Sequence, residues 1–198
     1  MNKLGLTFIV VMLAATASMA QLKTVTDYYL AMPGDLYSTD INGDKVTAKA
    51  ALTKHRRSLI KIEDIKNGYL RLEGPWEGWA DIALFKRTNG SYIVGQAETG
   101  CGPACTGSIK FWSVANGKWS DFTKSVFAEL KDAEAAKLFN TIRSADDETA
   151  TTDNFSFYYL LPREGTTIKA ACNECTDEGA DDFVFAEWSW NGTKFTRK

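Results

Sequence analysis

The sequence predicts a mainly β protein of the β-rich α+β class, made of two similar antiparallel β-units with one amphipathic helix between them. Short segments of alternating apolar and polar residues, separated by Asn-Gly and other turn sequences, fill two regions, 58–119 and 155–195. Between these regions the apolar spacing changes to the period of a helix. Aromatic residues make up 12% of the chain, which favours a β-rich core or an aromatic binding surface.

The first twenty residues have the pattern of a signal peptide. The short positive region Asn2-Lys3 precedes the apolar run Leu4–Ala15, and Ser18-Met-Ala20 ends in small residues at the spacing of a cleavage site. The alternative, a membrane anchor, is disfavoured because the run is well short of the roughly 20 apolar residues that a span needs. We therefore expect residues 1–20 to be removed, no membrane span in the remaining chain, and a periplasmic or secreted location.

The first predicted unit spans 21–144 and includes the helix that follows its strands. Thr26–Pro33 is predicted as a short strand or apolar hook, and Val46–Arg57 as a short helix. Asp40–Asp44 has the acidic spacing of a calcium loop, but the positions that need Gly and Glu hold other residues, so an Asn-Gly turn is favoured. The predicted strands of this unit are 58–63, 69–73, 81–86, 91–96 and 108–114.

The helix and the second unit complete the chain. Apolar residues recur at helical spacing between 120 and 144, and Asp132–Arg143 is the strongest predicted helix, with acidic residues in its first turn. The second unit, 145–198, is expected to pack on the first in one compact domain. Its predicted strands are 155–161, 166–171 and 183–190, and an Asn-Gly turn follows them.

Landmarks of the two units recur at a constant separation. Gly90 and Gly165 are 75 positions apart, and so are Asn116-Gly117 and Asn191-Gly192. Each copy has the order strand, glycine turn, strand, cysteine turn, strand, Asn-Gly turn and aromatic residue. The second cysteine of one pair and the first of the other do not match in this way. The shared order nevertheless predicts a structural duplication.

The four cysteines form two close pairs, Cys101 with Cys105 and Cys172 with Cys175. In an exported chain such pairs are usually disulfides, and two similar units would each close their own turn, although three connectivities are formally possible. A thioredoxin-type redox pair is disfavoured because Cys105 leads into a predicted strand, not a helix. A four-thiolate zinc site is disfavoured because positions 106–171 separate the pairs and an oxidising compartment disfavours free thiols. No metal and no cofactor are predicted.

Charge and residue inventory argue against several function classes. The formal net charge is −2 with no long block of either sign, so nothing attracts nucleic acid or an anionic membrane. His55 is the only histidine, which excludes multi-histidine metal centres, and its neighbours Arg56 and Arg57 indicate a solvated helix surface. The chain has no Gly-x-Ser-x-Gly nucleophile elbow and no phosphate-cradling glycine loop. No catalytic residue is predicted.

Three segments of the first unit carry a family resemblance: Asn67-Gly-Tyr-Leu-Arg-Leu72, Gly100-Cys-Gly-Pro-Ala-Cys105, and Phe111-Trp together with Gly117-Lys-Trp119. Together they resemble small exported bacterial proteins classed as domains of unknown function. The resemblance spans 28–119, and Cys-Gly-Pro-Ala-Cys is its most specific motif. The resemblance implies an exported protein and supplies no activity or catalytic residues.

These observations predict a non-enzymatic exported module that binds a protein or a cell-envelope glycan, with inhibition of an envelope enzyme as one form. The alternative is a carboxylate-based hydrolase acting on envelope polymer. The candidate binding patch is Trp76, Trp79 and Pro103, because a loop with two tryptophans and the Cys101–Cys105 turn could form an aromatic-edged surface. The competing interpretation is that both indoles are buried over the end of a β-core.

Overall fold

The structure, a computed structural model, describes residues 22–33, 40–41, 44–45, 49–143, 149–173 and 182–198. Its helices are α1 (Val25–Ala31), α2 (Lys49–Ser58), α3 (Thr123–Val126) and α4 (Asp132–Ile142). Its strands are β1 (Asp40–Ile41), β2 (Asp44–Lys45), β3 (Ile60–Asp64), β4 (Tyr69–Leu72), β5 (Gly78–Lys86), β6 (Tyr92–Cys101), β7 (Cys105–Ala115), β8 (Lys118–Asp121), β9 (Tyr158–Leu160), β10 (Thr167–Cys172), β11 (Phe183–Trp190) and β12 (Phe195–Arg197). The predicted signal peptide, 1–20, and the cysteine at position 175 lie outside the described residues.

Two antiparallel sheets form the fold, and both follow the order of the chain. One sheet has six strands, β3 to β8, and the other has four, β9 to β12. The strands β1 and β2 form a separate small pair with Ile41 opposite Asp44, on either side of the predicted Asn-Gly turn, whose two residues lie outside the described ranges. The prediction of a mainly β, β-rich α+β protein is confirmed. None of the helices in the described ranges has the length and apolar content needed to cross a membrane.

The topology agrees with the predicted repeat. The four-stranded sheet, β9 to β12, has the same meander as β5 to β8, and matching glycines close the matching turns. Gly90 and Gly165 have φ angles of 84° and 79°, while Gly117 and Gly192 have φ angles of 74° and 91°. Because these positive φ angles favour glycine, the recurrence of glycine at a fixed separation reflects a recurring turn geometry.

The two sheets share one aromatic core. Phe111 of the first sheet lies 4.9 Å from Phe195 of the second, measured between ring centroids. Phe127, which follows α3, lies 5.1 Å from Trp188. The helix α4 covers one side of this core through the fully buried Phe139. The apolar face of the predicted amphipathic helix therefore packs into the protein's own core.

The opposite face of the six-stranded sheet is covered by α1 and α2. Val25 and Tyr29 of α1 and Leu59, just after α2, join Leu70 and Ile82 of the sheet in a second buried cluster. These helices lie over β4 and β5 and leave part of β6 and β7 uncovered, where alternate residues are exposed. This partial covering creates the cleft described below.

The segment predicted as a strand or hook at 26–33 is a helix. Thr24 and Asp27 form a capping box: the Thr24 hydroxyl accepts from the Asp27 N–H at 3.1 Å, and the Asp27 carboxylate accepts from the Thr24 N–H at 2.9 Å. Val25 and Tyr29, four positions apart, share the buried face. The strand prediction was wrong because this capping box and the buried Val25–Tyr29 face together stabilise a short helix.

Arg56 is buried, contrary to the solvated helix surface predicted from its neighbours. Its side chain is 0% exposed, whereas Arg57 is exposed. The guanidinium donates to backbone carbonyls at the C-terminal end of α1, where a cation is favourable. These carbonyls belong to Tyr29, Leu30, Met32 and Pro33, at 3.2, 3.2, 2.5 and 3.2 Å. Arg56 thereby joins α2 to α1.

Candidate functional site

A cleft of about 690 Å³ lies between α2, the loop 74–77 and the six-stranded sheet. This volume falls within the range of about 300–1,000 Å³ that is usual for small-molecule sites. His55 of α2 and Leu59 form one wall, and Trp76 of the loop forms another. The floor is the uncovered part of the sheet, where Glu98 and Ser108 are exposed.

The floor follows from strand alternation and register. In the β6–β7 pairing, Glu98 lies opposite Ser108 and Gly100 lies opposite Thr106. Alternate residues of a strand point to the same face, so these four positions share the face that α1 and α2 cover further along the sheet. Gly100 leaves room between its polar neighbours, because a Cβ built there would meet no described atom within 4 Å.

The loop before β5 positions Trp76 beside the cysteine turn. Its indole is 38% exposed and lies against the backbone of Gly74, since a Cβ at that glycine would come within 1.8 Å of the Trp76 ring. The loop is tied to the end of β6 by a hydrogen bond from the Cys101 N–H to the Glu77 carbonyl, 3.0 Å long. Trp76 therefore stands at the cleft edge, in the loop that bonds to the backbone of Cys101.

Trp79 occupies a different environment from Trp76. Although Trp79 borders the cleft, its ring packs edge-on against Tyr158 of the second sheet, with centroids 5.5 Å apart. The Arg71 guanidinium lies 5.3 Å from the centroid of the same ring. Trp79 thus points to the face between the sheets, while the neighbouring Ala80 points to the cleft. Of the two predicted tryptophans, the indole available to a ligand in the cleft is that of Trp76.

The cysteine turn closes the β6–β7 hairpin. Cys101 and Cys105 lie opposite each other and are joined by a disulfide, and Pro103 is exposed at the tip without lining the cleft. Cys172 is also disulfide-bonded, while Cys175 lies outside the described residues. The Cys105 N–H donates to the Asn173 side chain at 3.1 Å, so the two cysteine regions meet at one end of the protein.

A hydrogen-bonded chain orients the carboxylate of the cleft. The Trp112 indole N–H donates to Oε1 of Gln96 at 2.8 Å, and Nε2 of Gln96 donates to Oε1 of Glu98 at 2.6 Å. Gln96 itself is buried, so the chain runs from the interior to the exposed Glu98. It leaves Oε2 of Glu98 available to a ligand, because no other described group bonds to this carboxylate.

Three further polar side chains of the cleft keep their full hydrogen-bonding capacity. The imidazole of His55 and the hydroxyls of Thr106 and Ser108 make no hydrogen bond to any described residue. The described residues that line the cleft include no lysine or arginine, and Glu98 is the one carboxylate among them. The arrangement combines an exposed indole with donors and acceptors that are free to bind a ligand.

Behind the floor, on the face that Trp79 shares, lies a buried ion pair. Asp81 is 0% exposed and accepts from Nε and Nη2 of Arg71 at 2.9 and 3.2 Å and from the Tyr69 hydroxyl at 2.7 Å. Burial raises the pKa of the Asp81 carboxyl above its ordinary value, against the opposing pull of Arg71 and Tyr69. A backbone hydrogen bond from Leu161 joins this cluster to the second β-unit.

A second cavity, of about 320 Å³, contains the carboxylates of Glu129 and Asp132. Both residues are exposed and come from one short segment before and at the start of α4, so they do not flank a cleft from two sides. Among the residues that the structure describes, no group of three or more His, Cys, Asp or Glu could hold a metal ion.

Sequence reasoning missed the cleft floor and its histidine. His55 was predicted to be solvated, but it is half-buried at the cleft wall. The floor did leave a signal: around the cysteine turn, Glu98, Thr106 and Ser108 fall at alternate positions of two strands. Alternation of this kind indicates a sheet face without a hydrophobic cover.

Comparisons with known proteins bear on the fold. No family model matches the chain, and no curated protein matches it. A solved structure described as a domain of an uncharacterized protein from Porphyromonas gingivalis W83 is similar to it, with a TM-score of 0.57 at 12% sequence identity. The match covers 88% of this chain and 97% of that chain. At this identity the similarity shows a shared fold alone.

Proposed function

We propose that this protein is a non-enzymatic binding module whose ligand, a cell-envelope component, occupies the cleft beside Trp76. One observation carries the proposal: an exposed indole borders a cleft in which the side chains of His55, Thr106 and Ser108 make no hydrogen bond to any described residue. Exposed aromatic rings with a few convergent polar groups are typical of binding sites. A residue kept only for stability would instead be covered or hydrogen-bonded within the protein.

The composition of the cleft favours binding over catalysis. Glycoside hydrolysis in most families uses two carboxyl groups that flank the scissile bond, and the described lining of this cleft supplies Glu98 alone. A hydroxyl or thiol nucleophile needs an adjacent base or a lowered pKa to be activated. The Ser108 and Thr106 hydroxyls have no described base bonded to them, and Cys101 is held in a disulfide.

A periplasmic or secreted location supports an envelope ligand. The first twenty residues have the pattern of a signal peptide, and disulfides persist mainly in oxidising compartments. The resemblance to small exported bacterial proteins of unknown function points the same way. We therefore place the proposed ligand outside the cytoplasm.

The test is a variant that fills the cleft without disturbing the fold. In Gly100→Leu the new side chain starts from the floor, at a position where a Cβ meets no described atom within 4 Å and the backbone φ is not positive. Gly102→Leu is the matched control, since Gly102 is equally open but lies in the exposed turn, outside the cleft lining. Trp76→Ala removes the exposed indole.

Binding is measured by co-sedimentation with an insoluble bacterial cell-envelope preparation. We expect wild-type protein and Gly102→Leu to bind equally, and Gly100→Leu and Trp76→Ala to bind at least about tenfold more weakly, a loss of about 1.4 kcal/mol. Thermal unfolding checks that all four proteins are folded. Equal binding by Gly100→Leu would refute the cleft as the site, and no binding by the wild type would refute an envelope ligand.

A further inference from the structure

The charge of the cleft restricts the ligands that it can take. Among the described residues that line it there is no lysine or arginine, and their one formal charge is the carboxylate of Glu98. An anionic ligand would leave its own charge unpaired and face like charge, which costs free energy. A phosphate- or carboxylate-rich ligand is therefore disfavoured, and a neutral or cationic one remains.

The number of aromatic rings at the cleft distinguishes a neutral ligand from a cationic one. Quaternary or methylated ammonium groups are typically bound in cages of several aromatic rings. Here the half-buried Trp79 borders the cleft, but its ring packs against Tyr158 and Arg71. Trp76 carries the exposed indole among the described lining residues. One ring beside one carboxylate offers a flat apolar surface, which suits the apolar face of a sugar ring better than it suits an enclosed cation.

The hydrogen-bonding groups match a ligand whose groups both donate and accept. The hydroxyls of Thr106 and Ser108 can do either, the Glu98 carboxylate only accepts, and the neutral imidazole of His55 has one donor and one acceptor. Within the described structure the side chains of His55, Thr106 and Ser108 make no hydrogen bond, and Glu98 keeps one carboxylate oxygen beyond its bond to Gln96. Alcohol hydroxyls, which also donate and accept, can satisfy this mixed set in several orientations.

The described backbone of the floor offers little room for an extended peptide. β6 pairs with both β5 and β7, whereas β8 pairs with β7 only at Trp112–Ala115. Along the rest of that edge of β7, other groups of the protein accept from the N–H groups of Cys105, Gly107 and Phe111. Strand addition, the common way of binding an extended peptide, needs an exposed edge instead. The described floor therefore presents mainly side chains to a ligand.

From these four features we infer that the ligand of the Trp76 cleft is an uncharged, hydroxyl-rich glycan segment, an inference that rests on the proposed function. The indole of Trp76 packs against a face of one sugar ring. Glu98, Thr106 and Ser108 bind its hydroxyl groups from the floor, and His55 binds them from the wall. No step of bond breaking is involved.

The experiment measures binding to uncharged tetrasaccharides of glucose, mannose and N-acetylglucosamine, with oligogalacturonate as the anionic probe and a proline-rich decapeptide as the peptide probe. We expect an uncharged tetrasaccharide to bind and the other two classes not to. Trp76→Ala should weaken binding at least about tenfold, and Gly100→Leu should abolish it, with Gly102→Leu unchanged. Glu98→Gln keeps an acceptor but removes the charge, so binding of the tetrasaccharide should change less than about threefold.

The outcomes separate this inference from the proposed function. Binding of oligogalacturonate or the decapeptide in preference to every tetrasaccharide, or no tetrasaccharide binding at millimolar concentration, overturns the glycan assignment. A loss of more than tenfold in Glu98→Gln also overturns it, because it indicates a cationic ligand. If Gly100→Leu still fails to bind cell-envelope material in those cases, the proposed function stands. If Gly100→Leu binds envelope material normally, the proposed function fails as well.

Discussion

Replacement of Arg71 by methionine should destabilise the protein, because it leaves the buried Asp81 carboxylate without its charged partner. Breaking a fully buried ion pair from one side costs about 3–5 kcal/mol. Arg71 is 29% exposed, and the Tyr69 hydroxyl and the Leu161 N–H remain as donors to the carboxylate. We therefore expect the lower end of this range, a loss of about 3 kcal/mol, or about 6–12 °C in Tm for a chain of this size.

The stability lost in Arg71→Met should depend on pH and become smaller on acidification. Burial raises the pKa of Asp81 in the folded state, so the folded state binds more protons than the unfolded state just above the ordinary carboxyl pKa of 3.8. The contribution of Asp81 to the free energy of unfolding therefore falls as pH rises through that window. Without the Arg71 guanidinium the pKa rises further, and the stability difference from wild type should be large at neutral pH and shrink on acidification.

Urea unfolding of wild type, Arg71→Met, Asp81→Asn and the double variant measures both effects. The double variant leaves no buried charge unpaired. Its loss in the free energy of unfolding should therefore be about 2 kcal/mol smaller than the sum of the losses in the two single variants. Arg163→Met is the control, because it removes a similar Arg–Asp contact, to Asp64 at 2.8 Å, that is exposed, and its effect should be much smaller. A loss in Arg71→Met that does not change between pH 7 and about pH 4.5 would contradict this account.

Two further changes test the fold. Arg56→Met should lower the free energy of unfolding by at least about 3 kcal/mol, because several α1 carbonyls lose their donor, whereas Arg57→Met at the exposed neighbour should cost less than about 0.5 kcal/mol in the same urea titration. Gly90→Ala and Gly165→Ala should each cost about 1–2 kcal/mol by thermal unfolding, since both glycines have positive φ and open space around them. Unequal effects at these two matched turns would count against a shared geometry.

The strands, turns and main helix were predictable because their signals are local. The hairpins 58–73 and 81–119 correspond to observed strand pairs, and alternation and turn residues encode them within a few positions. The helix predicted at Asp132–Arg143 is observed as Asp132–Ile142, because its apolar spacing extends over three turns. The seven-residue helix α1 was missed, since so short an element depends on its cap and on packing.

The candidate site was only partly predictable. The loop containing Trp76 was identified from its glycines, proline and tryptophans. The cleft itself depends on how far α1 and α2 extend across the sheet, which leaves Glu98 and Ser108 uncovered. His55 became part of a wall because its neighbour Arg56 is drawn inward to the carbonyls of α1. Those contacts join positions more than twenty residues apart, so no pattern within α2 contains them.

The sequence by itself determined the class of fold, the repeat of turns and the closing of the Cys101–Cys105 hairpin, because each depends on residues that are near neighbours in the chain. Tertiary structure alone decided which face each side chain occupies. Trp76 and Trp79 lie three positions apart and both border the cleft, yet the indole of Trp76 is exposed and that of Trp79 packs against Tyr158 of the second sheet. That difference arises because the second β-unit covers one face of the first sheet, while two short helices cover only part of the other.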